Sequence, residues 1–173
     1  MDQIPIATPQ AKAALWTALV LSIIDLGLVC GNVGTSSLFV GMAAAPMAII
    51  HLATHLGVIG TREKRARQKA SDASHNATDA TRFPPPSTLG SILVTIFIIV
   101  AYLAAFSVSI WGLVSQELYN LSPIVVILDA VFDILCSAAL IWLLYVGIKE
   151  RREYLIISTR IRLDNISNND NSA

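Results

Sequence analysis

The chain has 173 residues, of which 54% are hydrophobic and only 14% are charged, and its formal net charge is zero. A soluble domain normally carries about 25% charged residues. The composition therefore excludes an ordinary soluble domain and predicts an integral membrane protein without a sizeable soluble part.

The first apolar run covers residues 13–33 and follows a short polar tail, residues 1–12. Its length suits a transmembrane helix, which needs about 20 apolar residues to cross the bilayer. A cleaved signal peptide is the alternative, but its apolar core is only about 7–15 residues long. A retained first span is the better interpretation, and a tight turn at residues 34–37 follows it.

The second apolar run, residues 38–60, contains Pro46, which predicts a kink that neighbouring helices can accommodate. A basic loop at residues 61–88 follows, and alanines recur in it at steps of four and three: Ala66, Ala70, Ala73, Ala77 and Ala80. This spacing is compatible with a helix that packs on a partner. Alanine buries little area, however, which favours a solvated extension of the second span.

The third and fourth apolar runs, residues 89–114 and 124–148, are separated by a turn at residues 115–123. The tail, residues 149–173, is basic at first and then polar, and we expect its last part to be disordered. Between these parts, residues 155–164 alternate in the manner of a strand. A lone strand is unstable, so this segment would join a partner's sheet or lie on the lipid surface.

The distribution of Lys and Arg predicts the topology. None occurs from Ala13 to Thr61 or from Phe83 to Ile148, whereas the central loop has six and the C-terminal tail five. Because Lys and Arg collect on the cytoplasmic side, four spans place both termini and the central loop there. The predicted fold is an all-α bundle of two transmembrane hairpins. Eight basic residues should face anionic inner-leaflet lipids: Arg62, Lys64, Arg65, Arg67, Lys69, Lys149, Arg151 and Arg152.

Five ionisable residues lie within the predicted spans and are candidates for function, because such groups are costly in a membrane: Asp25, His51, His55, Asp129 and Asp133. The histidines share one helix face and the last two aspartates another. Such pairs on facing helices can in principle hold a divalent metal. Counted from the outer helix ends, however, the aspartate pair lies about 8 and 14 Å deep and the histidine pair about 20 and 26 Å. On this ground we expect no metal site. No nucleophile–base pair or complete metal motif faces the cytosol, so we also expect no catalytic site, and we expect no cofactor.

Asp25 lies about 12 Å from the outer end of its span, close to the level of Asp133. Carboxylates clustered without a cation must share protons or bind a cation. One interpretation is a proton- or cation-coupled site. The other, which we favour, is structural: hydrogen bonds to the helix backbone or to neighbouring hydroxyls, offered by Tyr102, Ser107, Ser109 and Ser137, tie the helices together.

Small residues at four-residue spacing predict close helix packing, within the chain or between copies: Gly27, Gly31, Gly41, Ala45, Ala101 and Ala105. We expect no nucleic-acid partner. The expected partners are the lipid bilayer and other membrane proteins or a second copy of the chain.

The four spans, and the run LDAVFDIL at residues 128–135, resemble MARVEL-like tetraspan membrane proteins, whose fungal members have an Asp- and aromatic-containing helix. The chain departs from that pattern in its very short outer turns without cysteine and in placing the run in the last span. The resemblance implies a role in membrane organisation or trafficking rather than catalysis. The composition alone is compatible with the plasma membrane or an endomembrane. The alternative is a small proton- or cation-coupled transporter that uses the intramembrane aspartates.

Overall fold

The computed structural model describes residues 7–31, 40–71, 88–115 and 123–170. They form four helices: α1 (Pro9–Gly31), α2 (Val40–Ser71), α3 (Leu89–Ser115) and α4 (Pro123–Asp170). Within these ranges there is no strand, which confirms the prediction of an all-α fold. The outer turn at 34–37, most of the turn at 115–123 and residues 72–87 of the loop lie outside the described residues.

Each helix packs on its neighbours along the chain, and α4 also packs on α1, so the four helices close a ring. All four are long and apolar enough to span a membrane. Large apolar side chains cover the outside of the ring, including Ile50 at 68% and Val114 at 76% exposure. An apolar outer surface of this extent suits contact with lipid rather than water. The chain is therefore a multi-pass membrane protein.

A threonine caps the N-terminus of each of α1 and α3. The Thr8 hydroxyl accepts a hydrogen bond from the Ala11 amide at 3.2 Å, and Thr88 does the same for Ser91 at 3.3 Å. Pro9 follows Thr8 as the first residue of α1. Proline suits this position because its missing N–H would have no partner in the helix. This explains why α1 begins four residues before the predicted start at residue 13.

Two helices extend well beyond the predicted spans. α2 continues through Pro46 and past residue 60 to Ser71, and α4 continues past residue 148 to Asp170. The strand periodicity of residues 155–164 was misleading, because these residues are helical. Extending an existing helix adds one hydrogen bond per residue without a new nucleation cost, whereas a lone strand leaves its backbone groups unpaired. For the same reason residues 165–170 are helical rather than disordered.

Polar contacts bring the start of α1 and the distal parts of α2 and α4 to one end of the bundle. Lys12 on α1 forms an ion pair with Glu63 on α2. The Thr8 amide and hydroxyl both donate to one carboxylate oxygen of Glu150 on α4, at 2.9 and 2.6 Å. We call this end, which carries Thr8, Glu63 and Glu150, the basic end, because the basic residues of α2 and α4 adjoin it.

Candidate functional site

The three intramembrane aspartates are brought together by α1 and α4. Asp25 and Asp129 have no exposed surface, and Asp133 is 1% exposed. The Asp25 carboxylate interacts electrostatically with Asp129 and Asp133, and the latter two interact with each other. We call these three residues the carboxylate cluster.

Helix geometry explains why the three residues meet. Asp25 lies six residues before the end of α1 at Gly31, which is about 9 Å along the helix. Asp129 and Asp133 lie six and ten residues after the start of α4 at Pro123, or about 9 and 15 Å. Since α1 and α4 run in opposite directions and contact each other, these positions fall at similar heights. The cluster therefore occupies the half of the bundle remote from the basic end.

A hydrogen-bonded group adjoins the carboxylate cluster and connects three helices. The Tyr102 hydroxyl on α3 donates to the Ser22 hydroxyl on α1 across the core, at 3.3 Å. The Cys136 thiol on α4 lies beside both hydroxyls and also interacts with Asp25 and Asp133. Tyr102, Ser22 and Cys136 are fully buried. Protein groups therefore surround the carboxylates on this side.

The protonation of the carboxylate cluster depends on hydrogen-bond partners that some of its oxygens lack among the described residues. Neither oxygen of Asp25 or of Asp133 has a hydrogen-bond partner among the described residues. The sequence offers no Lys or Arg at this depth, since none occurs from Ala13 to Thr61 or from Phe83 to Ile148. Because an isolated buried charge is very costly, these side chains must carry protons or bind a cation. Within the described ranges, no three His, Cys, Asp or Glu side chains are arranged to hold a metal ion.

The histidines lie apart from the aspartates, at the contact between α2 and α3. His51 and His55 stack edge to face, with ring centroids 4.5 Å apart. His51 Nε2 lies 3.1 Å from the Thr95 hydroxyl, and His55 Nε2 lies 2.9 Å from the Ser91 hydroxyl. Because Ser91 is the third residue of α3, this pair of contacts lies in the half of the bundle nearer the basic end.

One proton position in this second group follows from its hydrogen bonds. The Thr95 hydroxyl donates its single proton to the backbone carbonyl of Ser91, at 2.8 Å. Its oxygen can therefore only accept from His51. Nε2 of His51 must then carry hydrogen, which leaves Nδ1 as the acceptor of the neutral ring.

The proposed packing residues fall in different environments. Gly41, Ala45 and Ala105 are buried, and Ala101 is half-buried. Gly27 is exposed, and an added Cβ there would meet nothing within 4 Å. Gly31 ends α1, and its surroundings lie outside the described residues. Of the hydroxyls expected near the aspartates, Ser137 and Ser109 are buried, whereas Ser107 is exposed and bonds to its own helix.

The basic residues proposed to face lipid lie at or beyond the basic end. Lys64, Arg65, Lys149 and Arg152 are exposed, and Arg62 and Arg151 are half-exposed. Arg67 and Lys69 belong to the last turns of α2, and their side chains lie outside the described residues.

Sequence reasoning missed five residues that make interhelical hydrogen bonds: Thr8, Ser22, Ser91, Thr95 and Glu150. Some signals were available. Thr8 followed by Pro9 is a typical helix start, and the four-residue spacing of Ser91 and Thr95 matches that of the two histidines.

Comparison of the chain with protein-family models, with curated proteins and with solved structures gives no match.

Proposed function

We propose that this chain is a non-enzymatic multi-pass protein that organises its membrane or assists trafficking, through helix packing in the bilayer and basic contacts at the cytoplasmic surface. The main support for the proposal is that exposed Lys and Arg side chains lie together at the basic end. Lys64, Arg65, Lys149 and Arg152 adjoin one end of the bundle and are exposed.

The lengths of α2 and α4 support this interpretation. Their 32 and 48 residues correspond to about 48 and 72 Å of helix, against a hydrocarbon core of about 30 Å. Both helices therefore project beyond the bilayer at the basic end. Each Lys or Arg near an anionic surface contributes about 1 kcal/mol of attraction, which would hold these projections at the inner leaflet.

The orientation and the family likeness belong to the same proposal. The Lys and Arg distribution favours a cytoplasmic basic end. The resemblance of residues 128–135 to MARVEL-like tetraspan proteins supports a role in membrane organisation, with other membrane proteins or a second copy of the chain as partners.

Native mass spectrometry of the protein released from mixed anionic and zwitterionic bilayers tests this function. We expect retention of anionic lipid, lost when Lys64, Arg65, Lys149 and Arg152 are all changed to Gln. A matched control exchanges Lys for Arg and Arg for Lys at the same four positions and should retain the lipid. Equal retention by the Gln variant would contradict the proposal.

A second candidate function is a small proton- or cation-coupled transporter, and the carboxylate cluster is the observation that favours it. We favour protons over a metal ion here, since no three His, Cys, Asp or Glu side chains of the described residues are arranged to hold a metal. Flux in proteoliposomes, compared between the wild type and Asp133→Asn, tests this candidate. Loss of a measured flux would support it, whereas loss of assembly without any wild-type flux would support the scaffold.

A further inference from the structure

The buried face of α3 carries hydroxyl groups along most of its length. Buried residues recur at steps of four and three, which keeps them on one face of the helix: Ser91, Thr95, Ile98, Tyr102, Ala105 and Ser109. Four of these six side chains have hydroxyls. A polar stripe therefore runs from the basic end of the bundle toward the opposite end, and Ile98 and Ala105 interrupt it.

The stripe contacts a different proton-binding group on each side of Ile98. Toward the basic end, Ser91 and Thr95 bond to His55 and His51. Away from the basic end, Tyr102 bonds to Ser22 and adjoins the carboxylate cluster.

Buried Leu and Ile side chains form an apolar layer that lies partly between these two groups and partly beside His51. Each helix contributes one Leu or Ile side chain that is at most 1% exposed: Leu15, Leu52, Ile98 and Leu140. Counted toward the basic end, Leu15 lies seven residues from Ser22, Ile98 four from Tyr102, and Leu140 four from Cys136, or about 10, 6 and 6 Å. Leu52 follows His51 toward the basic end, and Leu15 lies at about the same height as Thr95, the partner of His51. Leu15 and Leu52 therefore lie beside His51, whereas Ile98 and Leu140 lie between the two groups. The four side chains thus fall within about two helical turns.

We propose that the histidine group and the carboxylate cluster are the two halves of a proton path, and that the part of the apolar layer between them, Ile98 and Leu140, is its barrier. A dry apolar constriction blocks ions and protons until water enters it. When the layer is hydrated, a proton leaves an aspartic acid, crosses on water and is accepted by an imidazole nitrogen. The aspartate regains a proton from the side remote from the basic end, and the histidine releases its extra proton toward the basic end. Each crossing moves one positive charge, so steady flow needs an equal countercharge.

Buried oxygen atoms that have no hydrogen-bond partner within the described ranges support proton binding in the carboxylate cluster. Asp25 comes from a different helix than Asp129 and Asp133, and both oxygens of Asp25 and of Asp133 lack partners among the described residues. Ser137, one turn from Asp133 on the same face of α4, is 3% exposed, and its hydroxyl also has no partner in the described part of the chain. Buried polar atoms in this state are the places where a proton or a water molecule binds.

The proposal deepens the second candidate function, but it needs only the path and no coupled substrate. The test is proton entry into proteoliposomes with a trapped pH-sensitive dye, an imposed pH gradient, and potassium with valinomycin as countercharge. Ile98→Thr keeps the β-branched shape and places a hydroxyl between Thr95 and Tyr102. We expect it to speed proton entry by roughly tenfold over the wild type. Adding Asp133→Asn to Ile98→Thr should return the rate to that of the wild type.

Val29→Thr is the matched control, because Val29 is equally buried but lies beyond the carboxylate cluster, away from the layer. It should not increase the rate. If Ile98→Thr does not fold, Leu140→Asn replaces it in the same comparison. The path is overturned if the folded barrier variant is no faster than the wild type, if Val29→Thr is as fast, or if the leak persists with Asp133→Asn. If the wild type shows no proton entry while Ile98→Thr shows entry that Asp133→Asn abolishes, the result supports the path and contradicts the transporter.

Discussion

Hydrogen bonds between Thr8 and Glu150 connect the start of α1 to α4 at the basic end. The two residues are 142 positions apart in the chain. One oxygen of the buried Glu150 carboxylate accepts from both the amide and the hydroxyl of Thr8. The arrangement is favourable because a carboxylate at a helix N-terminus lies at the positive end of the helix dipole. Thr8 simultaneously caps α1 through Ala11.

We expect Thr8→Ala to lower the free energy of unfolding by about 2 kcal/mol, since it removes both a helix cap and a hydrogen bond to a charged group. Thr17→Ala, at an exposed position of α1, is the control and should change stability by less than about 0.5 kcal/mol. Reversible unfolding in SDS measures both. Equal stabilities of the two variants would show that the Thr8–Glu150 contact does not hold α1.

Tyr102→Phe should cost about 1 kcal/mol, because it removes a buried interhelical hydrogen bond to Ser22 while it keeps the ring in place. Tyr145→Phe removes the same hydroxyl from an exposed side chain of α4 and should be neutral. The same SDS titration compares them, and a neutral Tyr102→Phe would contradict the role of this bond.

Thr95→Val should lower the free energy of unfolding in SDS by about 1 kcal/mol, because the His51 N–H loses its acceptor between α2 and α3. Thr54→Val is a close control. Thr54 also donates to the carbonyl four residues before it, at 2.7 Å, but it is exposed. A Thr54 variant that is destabilised as much as the Thr95 variant would attribute the loss to the local backbone bond.

Asp25 and Asp133 should hold protons at neutral pH, because each is buried without a hydrogen-bond partner among the described residues. Infrared spectra should show the carbonyl stretch of protonated carboxyl groups, diminished in Asp25→Asn and in Asp133→Asn. Each variant exchanges one neutral group for another of similar shape, so stability should change by less than about 1 kcal/mol. Spectra that show only ionised carboxylates would refute this expectation.

The amino-acid sequence predicts the number of helices and their apolar character well, since both follow from hydrophobic run length and from the spacing of Lys and Arg. Helix ends were less predictable. The tail after residue 148 has the periodicity of a strand in isolation, but it continues α4. The alanine spacing after residue 60 favours an extension of the second span, and α2 continues to Ser71. Local periodicity was overridden because propagation from a formed helix is inexpensive.

The interhelical contacts depend on helix rotation, which the sequence does not specify. Spacing shows that His51 and His55 share a face, but the rotation of α2 against α3 decides that this face meets Ser91 and Thr95. Likewise, depth alone places Asp25 near the level of Asp133, and only the packing of α1 on α4 brings the carboxylates together. Thr8 and Glu150 lie at opposite ends of the chain, so no local pattern connects them.

The orientation of the basic end underlies the proposed function, and cysteine accessibility tests it most directly. In a chain with Cys30 and Cys136 replaced by Ala, a single cysteine is introduced at Ser71, the last residue of α2, or at Pro123, the exposed first residue of α4. A membrane-impermeant maleimide added to intact cells should label the Pro123 variant, and should label the Ser71 variant only after the membrane is permeabilised. Labelling of Ser71→Cys in intact cells would contradict the cytoplasmic placement of the basic end.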